Sequence, residues 1–252
     1  MISLSFLFIL IFLGLVVGFI GGYAGIGGAP LMLAFLVLVL GIPQLSAQGI
    51  VLTMMLGPMS LLGLLALKEE LKKQKKSIFF GVLAYAFFSY FGAVLAFRFG
   101  EFHLRQAFAF FLVLVALLEF LPDHFFTKGK AVENIAPVWI FVIGAITGIV
   151  GGLFGIGAGV LMIPIFMIFF RLKKNYVRAL SLAILLPPVS IGAFLKYAQE
   201  GVIYWKEAIV LFFAYFFANY FGAKLGGKAR VSFFKKVYAS ILLVIALFYF
   251  LS

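Results

Sequence analysis

Gly21-Gly22-Tyr23-Ala24-Gly25-Ile26-Gly27-Gly28-Ala29-Pro30 returns 130 positions later as Gly151-Gly152-Leu153-Phe154-Gly155-Ile156-Gly157-Ala158-Gly159. The same register runs on without a gap. Gly18 falls on Gly148, Pro58 on Pro188 and Ser60 on Ser190, and Tyr90-Phe91-Gly92-Ala93 falls on Tyr220-Phe221-Gly222-Ala223. The chain is a duplication, with residues 1–127 as the first repeat and 128–252 as the second. A duplicated apolar unit broken by glycine at matching places is the pattern of a secondary transporter.

Composition narrows the class further. Of the 252 residues, 65% are hydrophobic and 11% are charged. A soluble domain of this size could not clothe such a chain in polar surface. The uncharged runs 46–67 and 77–97 are long enough to cross a bilayer. The reading is an all-α polytopic membrane protein. There is no cysteine, and the two histidines, His103 and His124, have no ligand-spaced partner. No metal and no cofactor are expected. An intramembrane enzyme would need a nucleophile, a metal or an acid–base set at depth, and the chain offers none. That class, with an assembly factor beside it, is a remote alternative. The apolar N-terminal run lacks a basic leader and has an internal counterpart at 136–150, so it is read as a retained span.

The net charge of +12 does not call for a nucleic acid. Lysine and arginine gather on the cytoplasmic side of membrane proteins and set their orientation. We segment the chain into ten helices: 2–22, 28–41, 45–67, 77–98 and 103–121, then 135–152, 158–171, 176–198, 206–224 and 232–251. If all ten cross, sixteen of the twenty basic residues share one face, leaving Arg98, Arg105, Lys196 and Lys206 on the other. If the short second and seventh helices are re-entrant, the bias disappears. The sequence therefore predicts ten crossings in the cell (inner) membrane, with both termini on the extracytoplasmic side. Five crossings per repeat is an odd number, so the repeats are expected to be inverted about an axis in the membrane plane.

The glycine-rich turns are the first candidate site. Each feeds a short helix, so its amides point at one spot with the positive end of the helix behind them. Pro30 suits the first turn of the second helix. We expect Gly25, Ile26, Gly27 and Gly28 to meet Gly155, Ile156, Gly157 and Ala158 near the midplane and bind an anion there. Gly14, Gly18 and Gly22, with Gly144, Gly148 and Gly152, are spaced four apart and are read as helix-packing glycines.

Gly57-Pro58 and Pro187-Pro188 sit mid-span at equivalent positions, and proline there breaks a helix. They are read as hinges. Gly49, Thr53, Leu56 and Ser60 share one helix face, and Ser181 and Ser190 supply hydroxyls in the partner repeat. Two readings stand side by side: a polar stripe along the pathway, or hydroxyls that bond back to their own helix. Asn219 replaces Ser89 beside the repeated Tyr-Phe-Gly-Ala. Arg178, whose counterpart is Gln48, could draw an anion to the inner mouth or reach for the membrane surface. Tyr90 and Tyr220 are aromatic packers or hydroxyl donors. No pair of buried carboxylates suggests a proton relay.

The motif Gly-Gly-x-x-Gly-Ile-Gly-Gly-x-Pro, with its echo Gly-Gly-x-x-Gly-Ile-Gly-Ala-Gly and a polar-centred helix after it, resembles the TauE/SafE sulfite exporter family. The resemblance covers nearly the whole chain. It implies transport of sulfite or a related organosulfur anion, such as a sulfonate. Members of that family often carry a short Ala-Thr-Ser-like stretch early in the third helix and in its counterpart. Here those positions read Val51-Leu52-Thr53 and Ser181-Leu182-Ala183, so only Thr53 and Ser181 keep a hydroxyl. The expected partners are a small anionic, sulfite-like substrate and the lipid bilayer. No nucleic acid is expected, and a homodimer is an option that no feature of the chain demands. An importer or a cation-coupled symporter of another sulfur anion is the alternative function.

Overall fold

The structure is a computed structural model that describes residues 4–24, 28–59, 61, 75–121, 135–157, 159–170, 174–226 and 231–251. All the elements among them are helices: α1 (Leu4–Ala24), α2 (Ala29–Leu38), α3 (Gln44–Met54), α4 (Lys75–Phe120), α5 (Pro137–Phe154), α6 (Gly159–Phe170), α7 (Lys174–Ile184), α8 (Ile191–Gln199), α9 (Trp205–Gly226) and α10 (Val231–Leu251). The expected third and eighth helices are interrupted at their prolines. α3 stops at Met54, four residues before Pro58, and α7 stops at Ile184, four residues before Pro188. The proline ring collides with the carbonyl four residues earlier, which sets that stopping point. Beyond the break the same bonds form twice. Met59 N–H donates to Gly57 O and Leu61 N–H to Pro58 O, while Val189 N–H donates to Pro187 O and Ile191 N–H to Pro188 O.

The expected fourth and fifth helices run together as α4. Gly100, at φ 72° and ψ 164°, divides them with a non-helical residue. α2 and α6 are short, as their sequences suggested. Their 10 and 12 residues give helices of about 15 and 18 Å, roughly half a hydrocarbon core.

Polarity is arranged for lipid. Phe8, Phe12, Phe87, Phe110, Ile146, Phe213 and Phe217 face outward, whereas Gln44, Gln48, Thr53, Ser89, Thr147 and Ser181 are buried. Among the described residues, α1, α4 and α5 contain stretches long and apolar enough to cross a membrane. A polar interior beneath an apolar exterior has a reason only where the surrounding solvent is hydrocarbon.

Glycine contacts bind the repeats to each other. α1 lies on α9, where a methyl group at Gly18 would fall 2.6 Å from the Tyr215 carbonyl oxygen. α5 lies on α4, where a methyl group at Gly148 would fall 2.7 Å from the Tyr85 carbonyl oxygen. Gly222 meets the Phe19 carbonyl, and Gly92 meets the Ile149 carbonyl. Each contact recurs with 130 added to one partner and subtracted from the other. The first helix of each repeat is thus clamped onto the fourth helix of the opposite repeat. The packing role read for Gly14, Gly18, Gly144 and Gly148 is met at these two interfaces.

Candidate functional site

The site is built around the glycine turns. α2 opens at Gly28, whose carbonyl takes the Met32 N–H at 3.0 Å, with Pro30 in the first turn where its missing N–H costs nothing. The Gly28 N–H donates to the Tyr215 hydroxyl at 3.3 Å. Asn219, one helical turn along α9, donates through Nδ2 to the same hydroxyl at 3.4 Å and to the Gly18 carbonyl at 3.5 Å. Gly28 and Asn219, far apart in sequence, are therefore joined through Tyr215. The sequence reading passed over Tyr215. Its signal was present, since Ala84-Tyr85 and Ala214-Tyr215 are a repeat pair.

The second turn closes α5. Gly155 is left-handed, at φ 64°, and its N–H returns to the Gly151 carbonyl, which also takes the Ile156 N–H at 3.2 Å. This is a glycine C-cap. The Gly155 and Ile156 amides are therefore engaged by their own helix. α6 opens at Gly159, and the first N–H groups of a helix have no partner within it. α3 of the first repeat lies directly against this turn. A methyl group at Gly155 would fall 2.7 Å from Gln48 Cγ, and one at Gly157 would strike Met55 Cε.

The remaining candidates separate. The Thr53 hydroxyl donates to the Gly49 carbonyl at 2.7 Å, so it bonds back to α3. Gly57 packs on the Phe212 ring. Ser181 and Ser190 are 1% and 3% exposed, and neither hydroxyl has a hydrogen-bond partner. Ser190 stands at the N-terminus of α8 without capping it. Ser89, the counterpart of Asn219, donates to the Ala86 carbonyl and accepts the Ala193 N–H at 3.1 Å, tying α4 to α8. Tyr90 donates to Gln199 at 3.2 Å, and Tyr220 faces outward. Gly25, Ile26, Gly27, Ser60 and Ala158 lie outside the described residues, as does the Arg178 side chain.

The comparisons bear on what this arrangement serves. Residues 10–249 match the family described as Sulfite exporter TauE/SafE. The chain belongs to the TauE/SafE family. A probable membrane transporter protein of Methanocaldococcus jannaschii is 28% identical over 256 residues, covering 95% of this chain and 94% of its own. No solved structure matches. This TauE/SafE member is accordingly a membrane-embedded protein of a transporter family. The turns that carry its resemblance, at 21–30 and 151–159, lie within the matched region.

Proposed function

We propose that this protein exports sulfite, or a related small organosulfur oxyanion, across the cell membrane by alternating access. The observation that carries the reading is the junction at Gly155–Gly157. There a glycine turn hands its following amides to the start of a half-length helix, against the buried face of α3. Half-length helices favour turns at membrane depth, where backbone N–H groups facing an anion are not competing with bulk water. Family membership and the relative's description support a transporter rather than an enzyme.

The two repeats are inverted in this reading. The 130-residue register, the exchanged glycine contacts and the charge bias all support it. The chain crosses ten times, with both termini outside and the basic loops in the cytoplasm. α1 is clamped to α9 and α5 to α4, so each moving body contains helices of both repeats. The breaks at Gly57-Pro58 and Pro187-Pro188 are the hinges between them. Coupling to a cation through carbonyls released at the breaks has less support, because the Met54 carbonyl takes the Gly57 N–H at 3.2 Å.

The test is sulfite efflux from loaded proteoliposomes, with sulfate, thiosulfate, sulfoacetate and chloride as competitors. Saturable sulfite efflux inhibited by sulfoacetate but not by chloride is expected. Equal movement of every anion, or of none, overturns the proposal.

A further inference from the structure

α3 carries two glutamines one helical turn apart, Gln44 and Gln48, and both are fully buried. Each is held in the same way. The Tyr197 hydroxyl donates to Gln48 Oε1, and the Tyr249 hydroxyl donates to Gln44 Oε1 at 3.0 Å. Each carboxamide has its oxygen satisfied by a tyrosine, and each Nε2 has no partner. A buried amide N–H without an acceptor is costly, and here the same cost is met twice on one face. Satisfying the Gln48 oxygen fixes which end of the amide is left over, and that end is a donor.

The location links this donor to the second turn. Gln48 Cβ and Cγ are the nearest atoms to Gly155, and Met55, just past the end of α3, covers Gly157. Residue type at the matching positions of the second repeat makes the chemistry specific. Gln44 falls on Lys174 and Gln48 on Arg178. Lysine and arginine side chains only donate. Both registers thus carry N–H donors in both repeats, neutral in one and cationic in the other.

We propose that Gln48 is a substrate-contacting donor of the anion site at the Gly155–Gly157 turn, with Gln44 as the next donor along α3 and Tyr197 and Tyr249 as positioning residues. The proposal rests on the oxyanion reading above and names the group that selects for it. The Gln48 side chain lies against Gly155, its amide carries two N–H groups, and a pyramidal oxyanion can take more than one hydrogen bond. The Glu101 carboxylate takes the Gln44 backbone N–H, and Arg105 lies 5.6 Å from the Tyr249 ring. The outer rung of the ladder is thus bordered by both signs of charge. Gln48 is the rung on the turn itself. The register is neutral in the first repeat and cationic in the second, and a cationic donor is expected to hold an anion more tightly than a neutral one.

The experiment is sulfite binding to the purified full-length protein, measured by calorimetry and by the sulfite-induced shift in melting temperature. The proteins are wild type, Gln48→Met, Gln48→Glu and Gln48→Arg. Gln48→Met is expected to shift the melting temperature of the unliganded protein only slightly, since removing the unpaired amide donor offsets the loss of the acceptor for the Tyr197 hydroxyl. Its affinity for sulfite is expected to fall about ten- to hundredfold, the worth of one hydrogen bond to a charged group. Gln48→Glu is expected to abolish binding, and Gln48→Arg to bind more tightly and to release sulfite more slowly in efflux assays. Wild-type affinity in both Gln48→Met and Gln48→Glu overturns the proposal and leaves the transporter reading intact. Loss of binding in Gln48→Arg equal to that in Gln48→Glu also overturns it, because the register would then not require a donor. A wild-type protein that binds no sulfite removes both readings together.

Discussion

At the scale of single residues, the polar groups that matter are held by partners distant in sequence. Tyr215 accepts from Gly28 and from Asn219, so replacing it with phenylalanine strands two donors in the interior. Tyr215→Phe is expected to destabilise the protein by about 1–3 kcal/mol, read as a lower thermal midpoint in detergent. A double-mutant cycle with Asn219→Ala is expected to give less than the sum of the two single losses. Gly155 has a different constraint. Its φ of 64° and its contact with Gln48 both oppose a side chain. Gly155→Ala is expected to cost about 1–2 kcal/mol for the left-handed backbone alone, with a further loss as Gln48 is displaced. Its sulfite affinity is expected to fall as well, and unchanged affinity would separate the turn from the site. The importance of Gly155 was legible in its repeat. Gln48 was not, because a glutamine at a helix start looks solvated until α5 and α8 are seen to enclose it.

At the scale of elements, the proline breaks and the two glycine-lined interfaces dominate. Both breaks were readable, since Pro58 and Pro188 fall at the same place in two apolar spans. The helix ends at Met54 and Ile184 follow from the reach of the proline ring. The partner of each glycine face was not readable. Spacing by four marks a close approach but does not say which helix approaches, and the structure pairs first with fourth across the repeats. Two substitutions separate backbone strain from packing. Gly100→Ala meets a positive φ of 72° with nothing within 4 Å of the new methyl group. Gly148→Ala meets a helical backbone but crowds the Tyr85 carbonyl at 2.7 Å. Gly148→Ala is expected to lower the unfolding midpoint more, because a helix must move away from its neighbour. Gly100→Ala is expected to cost about 1–3 kcal/mol for its positive-φ, extended-ψ backbone. The reverse order in thermal unfolding would mean that the clamp between α5 and α4 yields easily.

At the scale of the molecule, the proposed export has a driving force that needs no coupling ion. With the cytoplasm negative by about 100 mV, each negative charge that leaves gains roughly 2.3 kcal/mol, equivalent to about a fiftyfold concentration ratio. Sulfite efflux from proteoliposomes is expected to slow when the potential is collapsed with valinomycin at equal potassium concentrations, and to recover when it is restored. A rate indifferent to potential would mean that a compensating charge moves with the anion.

The sequence alone determined that this chain lives in a bilayer, that it is built twice, and where its helices break. Those properties depend on hydropathy, register and proline, which act locally along the chain. Only the tertiary structure decided which helices clamp together, that the Gly155 and Ile156 amides serve their own helix, and that two glutamines are buried with unpaired donors. Burial and hydrogen-bond partnership are relations between segments distant in sequence: Gly28 with Tyr215, Gln48 with Tyr197 and Gly155. The physics that makes those groups costly to bury begins only when the fold removes water from them.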